Sequence, residues 1–154
     1  MEASVKGQEL DRYLFRGFKD LKEKRLFIKA FAKWFSHLHK MDLYHRDMKT
    51  CNILVSEKGA SWNFHLLDLE DVRLDEKVDE MKLFKNFLQL NASTPKMITR
   101  TDRCRFFRQY LSNRSIRVDE KQWIRKILQE TQKRGILFVA PWGVGEGKSA
   151  IRKG

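Results

Sequence analysis

Between residues 21 and 40 the side chains Phe27, Ile28, Phe31, Trp34, Phe35 and Leu38 recur at the i, i+3, i+4, i+7 rhythm of one helical face. So aromatic a stripe reads as a surface turned to a core rather than as a platform for stacking bases. The rest of the chain must supply that core, and most of it carries the same period. Leu10, Tyr13, Leu14 and Phe18 predict a short helix within 8–18, and Met81, Phe84, Phe87, Leu88 and Leu90 predict one over about 76–92. Thr99 with Asp102 has the spacing of a capping box, opening a helix with Phe106, Phe107, Tyr110 and Leu111. Asp119 caps another, whose stripe is Trp123, Ile124, Ile127 and Leu128 and whose end is Gly135. Two short apolar runs break the pattern: Ile53-Leu54-Val55, then Trp62 to Asp68 after a turn at 56–59, which together predict a β-hairpin. With only 8 Gly and 2 Pro in 154 residues, the reading is one α+β domain, mainly α, bearing a small hairpin.

Charge narrows the partners. The chain holds 32 Lys and Arg against 20 Asp and Glu, a formal +12. Residues 97–154 hold 14 of the cations and 5 of the acids, so the basic surface belongs to the last third. Such a field attracts nucleotide phosphates, anionic lipid or nucleic acid without choosing among them. Cys51 and Cys104 lack CxxC spacing and a nearby Cys/His set, which argues for reduced thiols. No apolar run approaches the roughly 18 residues of a membrane span, and MEASVKGQELDR lacks the core of a signal peptide, so a soluble intracellular protein is expected.

The chemistry concentrates in Tyr44 to Val55. His45-Arg46-Asp47-Met48-Lys49-Thr50-Cys51-Asn52 fits H-R-D-x-x-x-x-N, the catalytic loop of protein-kinase-like enzymes, and runs into an apolar strand as that loop should. Asp68, at the end of the second apolar run, stands where a kinase keeps its metal-binding Asp. Phosphoryl transfer needs an oriented hydroxyl and neutralised phosphates. A carboxylate at Asp47 can orient the hydroxyl and take its proton, while the Asn52 amide oxygen and the Asp68 carboxylate are hard ligands suited to Mg2+. Lys49 can aim a cation at the transferred phosphate, and His45 and Arg46 are expected to hold the loop in shape.

The runs LHKMDLYHRDMKTCNILV, FHLLDLEDVRL, KNFLQLNAS and DRCRFFRQYL resemble the lipopolysaccharide kinase (Kdo/WaaP) family, from about residue 2 to about residue 134. The resemblance implies a protein-kinase-like fold and an ATP-dependent kinase that phosphorylates a sugar hydroxyl of the lipopolysaccharide inner core. It also implies work at the cytoplasmic face of a Gram-negative inner membrane. Carried over by position, Asp47 is the catalytic base, Asn52 and Asp68 bind Mg2+, and Lys49 contacts phosphate. Asp68-Leu69-Glu70 replaces D-F-G and no A-P-E follows, which is similar to this family and unlike a phosphorylation-regulated protein kinase. Glu2 to Leu14 resembles the hinge and first helix of the larger kinase lobe. Residues 1–140 are therefore expected to form a kinase-like C-lobe without its N-lobe, followed by a basic flexible tail at 141–154. Without the Gly-rich loop and strand Lys of that N-lobe, ATP loses half its clamp, so little activity is expected of these residues alone unless another chain supplies the missing half.

Several features pull elsewhere. Gly143 to Ser149 imitates a Walker A loop, but position 142 is Trp142 rather than Gly, and too few residues follow for the helix. His37 and His39 point to different helix faces and read as structural rather than metal-binding. Arg100, Arg103, Arg105, Arg108, Arg114 and Arg117 form either a solvated face or a surface for lipid A phosphates or anionic phospholipid. Two rival functions stay open: a catalytically inactive kinase-like remnant serving as a binding or structural module, and a helical nucleic-acid binder. No specific nucleic acid is expected, and salt-resistant retention in a gel shift would contradict that.

Overall fold

The computed structural model describes residues 7–74, 76–134, 137–140 and 143–146. The fold is α+β, and its longest element is helix α2 (Leu21–Lys40). The carboxylate of Asp20 caps α2 by accepting the Glu23 N–H at 2.8 Å, satisfying one otherwise orphaned donor. Phe27, Phe31, Phe35 and Leu38 are buried along its inner face, as the spacing predicts, and Trp34 is half-buried.

Before α2 the chain differs from the expected helix over 8–18. Gln8–Glu9 forms strand β1, and helix α1 spans only Leu10–Arg16, because Gly17 turns away at φ 82. After α2 the helix ends at Asp42 in left-handed backbone (φ 54), with Leu43 N–H closing onto the Leu38 carbonyl at 3.0 Å. The Asp42 carboxylate then accepts the Val78 N–H at 3.2 Å. The abrupt stop delivers strand β2 (Tyr44–His45) into the interior.

The expected hairpin is β3 (Ile53–Lys58) and β4 (Ser61–Leu66), joined at Gly59 with φ 59. β1 extends it into an antiparallel β1-β3-β4 sheet. Ile53, Val55 and Phe64 turn into the core, where the Phe64 ring meets Phe27 and Phe31 of α2. The second strand stops at Leu66, two residues short of Asp68: Leu67 N–H still meets the Asn52 carbonyl in register at 2.8 Å, but Asn52 N–H turns back to the Lys49 carbonyl and the Leu67 carbonyl faces His45, so the ladder is not completed. β5 (Val72–Arg73) returns to pair with β2, placing Val72 opposite His45.

Helix α3 (Glu80–Ser93) starts at Asp79, whose carboxylate accepts the Lys82 N–H at 2.9 Å. With the start fixed there, Leu83, Phe87 and Leu90 face the core, and Met81, expected inside, is 81% exposed. Helix α4 (Arg100–Arg114) opens with the Thr99–Asp102 capping box, both bonds present. Phe106 and Tyr110 of α4 meet α2 with ring centroids 5.3 Å from Phe31 and 5.6 Å from Phe35. Helix α5 (Glu120–Arg134), capped by Asp119, buries Trp123 and Ile127 and leaves Ile124 and Leu128 half-buried. Gly135 lies outside the described residues. Of the segment 141–154, Gly143–Glu146 forms strand β7, antiparallel to β6 (Leu137–Ala140).

One arginine leaves the basic face. The Arg103 side chain turns inward, its Nε donating to the Ile98 carbonyl at 2.9 Å and its two Nη atoms to the carbonyls of Asn91, Thr94 and Pro95 and to Asn91 Oδ1. It thereby caps the C-terminal end of α3, where a cation meets the negative end of the helix dipole. Burial pushes its pKa down to about 10, and nearby Asp102 opposes the fall. Asp102 is itself a buried carboxylate. Burial alone would raise its pKa, but hydrogen bonds from Lys24, at 2.8 Å, and from Thr99 outweigh that and hold it below the ordinary value.

Candidate active site

His45, fully buried at the end of β2, organises the loop that follows it. Its Nδ1 accepts the Asp47 N–H at 3.0 Å and its Nε2 lies 3.0 Å from the Leu67 carbonyl. An amide N–H only donates and a carbonyl only accepts, so the two bonds select the neutral tautomer protonated on Nε2. His45 thus ties the loop to the strand end that carries Asp68, a task of shaping rather than reaction.

Asp47, Lys49 and Asn52 come together. The Asn52 amide nitrogen donates to the Asp47 carbonyl at 2.8 Å and to its carboxylate Oδ2 at 3.3 Å. Both acceptors are oxygens, which fixes the amide orientation and keeps Asn52 Oδ1 available as a ligand. Lys49 Nζ stands 3.4 Å from Asp47 Oδ1, an ion pair more than a third exposed on both sides. The Thr50–Asn52 turn of 3-10 helix sets this spacing, with Asn52 N–H on the Lys49 carbonyl at 2.9 Å.

Asp68 joins through the backbone. Its neighbour Leu67 is bound on both sides, by the Asn52 carbonyl and by His45, and Asp68 follows with φ 57, ψ 59. That left-handed conformation is uncommon for a residue with a side chain. The carboxylate is exposed and makes no hydrogen bond among the described residues. Nor do three His, Cys, Asp or Glu side chains gather into a metal cage among those residues. The donor set is an amide oxygen and separate carboxylates, which suits Mg2+, a cation that keeps waters and takes remaining ligands from phosphates.

The supports of the loop escaped the sequence reading. Asn86, Gln89 and Ser93 form a polar i, i+3, i+7 stripe on α3, beside its apolar one. Asn86 Nδ2 donates to the His45 carbonyl at 2.9 Å, and Gln89 Nε2 to the Arg46 carbonyl at 2.7 Å. Gln89 Oε1 accepts the Met48 N–H at 3.2 Å, and Ser93 Oγ accepts the Thr50 N–H at 2.9 Å. The signal was present as a buried-period stripe of amides inside an otherwise apolar helix. In the same turn as Thr50, burial, then Asp11, pushes the Cys51 thiol pKa up, which lowers its thiolate fraction.

The flanking histidines divide as their spacing predicts. His37 is exposed, whereas His39 is fully buried. Arg100, Arg105 and Arg108 line an open groove along α4 with Thr101, Cys104, Gln109 and Ser112. Among the described residues no helix is long and apolar enough to cross a membrane.

Residues 2–110 match the model of the lipopolysaccharide kinase (Kdo/WaaP) family. The chain belongs to this family. The match ends earlier than the resemblance out to residue 134 suggests. A solved structure described as WaaP in complex with acyl carrier protein shares the fold, with TM-score 0.66 and 22% identity over 82% of this chain. The chain spans about half of that protein, 56% of its length. No curated protein matches.

Proposed function

We propose that this chain carries the hydroxyl-activating and metal-holding part of an ATP-dependent kinase acting on a sugar hydroxyl of the lipopolysaccharide inner core. The observation that carries the reading is the closed contact between Asn52 and Asp47, with Leu67 and therefore Asp68 bonded to the same turn. Asp47 orients the acceptor hydroxyl and receives its proton as the oxygen attacks the γ-phosphorus of ATP and the bond from that phosphorus to the departing ADP breaks. Asn52 Oδ1 and the Asp68 carboxylate hold Mg2+, which, when bound with ATP, neutralises charge on the phosphates. Lys49, paired with Asp47 at rest, turns its ammonium to the transferred phosphate. Family membership supports the substrate class, and the arginine-lined groove of α4 suits the anionic surface of a lipid A phosphate or of the inner membrane.

Among the described residues no Gly-rich loop covers this site, so turnover by this chain alone is expected to be slow. A second reading is an inactive kinase-like module. One experiment separates them: γ-labelled ATP, Mg2+ and inner-core acceptor are incubated with the chain for hours, and nucleotide binding is measured in parallel. Label on a sugar hydroxyl that Asp47→Ala removes supports the kinase. Nucleotide binding without any transfer supports the module, and label that survives Asp47→Ala overturns the role of Asp47.

A further inference from the structure

The bonds that hold the loop continue past α3. His39 Nε2, on α2, lies 3.0 Å from Asn86 Oδ1, and His39 Nδ1 lies 2.6 Å from the Tyr110 hydroxyl on α4. One turn further along α4, Arg114 Nη1 donates to that hydroxyl at 2.8 Å. His39, Asn86 and Tyr110 are fully buried, within an aromatic layer where Phe87 sits 4.8 Å and Phe35 5.6 Å from the Tyr110 ring. Polar groups are costly in such a layer, and apolar rings would pack there as well.

The bonds form one directed series. Arg114, whose guanidinium only donates, donates to the Tyr110 oxygen, and the neutral His39 ring, which needs its proton on Nε2 to meet Asn86 Oδ1, accepts the Tyr110 proton at Nδ1. His39 then carries its proton on Nε2 and gives it to Asn86 Oδ1. Asn86 Nδ2 is left facing two acceptors, the His45 carbonyl at 2.9 Å and Gln89 Oε1 at 3.1 Å. Turned the other way, the amide would set oxygen against oxygen at both.

We infer that Tyr110 and His39 are positioning residues for the catalytic loop: they fix which way the Asn86 amide points and, through Asn86 and Gln89, hold the backbone on both sides of Asp47. Burial keeps His39 neutral by pulling its pKa down to about 4, so the series persists at ordinary pH. The inference rests on the kinase reading only for what the loop does. The geometry stands without nucleotide, and so does its test.

The 15N shifts of the His39 imidazole report which nitrogen bears the proton, and amide hydrogen exchange reports the loop. In the full chain without ligand, His39 is expected to be a single Nε2–H tautomer between about pH 5.5 and 8. Tyr110→Phe, which keeps the ring, should mix the tautomers and speed exchange at Met48 about tenfold, the loss of roughly one buried hydrogen bond. Asn86→Asp, which keeps the acceptor for His39 and removes the donor to His45, should speed it further, while amides of the β3–β4 hairpin stay unchanged in both variants. An Nδ1–H tautomer in the unmodified chain overturns the inference, as does Tyr110→Phe with Met48 exchange unaltered. If exchange rises equally in the hairpin, the residues are merely structural and the inference fails. Failure of ATP to bind would count against the proposed function alone.

Discussion

The catalytic loop and the acidic segment that faces it are held by different means. Residues 45–50 are fastened from outside by side chains of α3, at His45, Arg46, Met48 and Thr50. Residues 67–73 hang mainly on backbone bonds, from Leu67 to Asn52, from Arg46 to Asp71 and along the two-residue β2–β5 pair, with one side-chain tie from the loop, His45 to the Leu67 carbonyl, and Arg73 bonding carbonyls within the segment itself. Leu69 and Leu74, exposed at 69% and 67%, add no packing. On the proposed function, the difference would set the group that meets the hydroxyl rigidly and leave Asp68 to settle onto a cation that arrives with its own phosphates.

The largest expected effect tests the rigid side. Asp47→Ala should lower phosphotransfer by about 10²–10⁴-fold while thermal midpoint changes little, as the side chain is part-exposed and its fold contacts are few. Unchanged turnover would leave the loop as scaffold only.

Acid should loosen the same side first. The unfolded chain binds a proton at His39 near pH 6.5, but the folded chain does so only near 4. Burial causes the depression, Arg114 adds to it and the Asn86 bond opposes it. Between those values the unfolded state holds more protons, so stability rises with pH across the window and is lost as pH falls through it. The contribution is about 3 kcal/mol, and denaturant midpoints for the chain and His39→Gln, measured from pH 4 to 7, should converge at the acid end.

Ser93→Ala removes the acceptor for the buried Thr50 N–H and should cost about 1–3 kcal/mol by denaturant titration. The smallest effect belongs to the hanging side. Leu69→Ser should shift stability by under about 0.5 kcal/mol, and a larger loss would show that the acidic segment is packed after all.

Much of this contrast was only half legible in the sequence. The α2 stripe, the Thr99–Asp102 box and the H-R-D-x-x-x-x-N loop entering a strand are local patterns, and the chain follows them. What escaped depends on partners distant in sequence. Arg103 reads as one of a row of surface arginines until the carbonyls at the end of α3 appear beside it. Met81 fits a helical period, but it stands in the first turn of α3, where the core is met by Leu83, Phe87 and Leu90 and not by Met81. The two-residue strands β1, β2 and β5 are too short to carry a period at all. Asn86, Gln89 and Ser93 look like interruptions of an apolar face, and their meaning lies in a loop some 40 residues earlier.

The central claim is that Asp47, Asn52 and Asp68 surround one place. Adding Mn2+ with ADP to the 15N-labelled chain measures it, because the bound ion broadens only nearby amide signals. The account expects Asp47, Asn52 and Asp68 to broaden first and together, and Asp68→Asn to weaken the binding about tenfold by removing a charged ligand. Broadening that spares Asn52 and Asp68, or that Asp68→Asn leaves untouched, would contradict it.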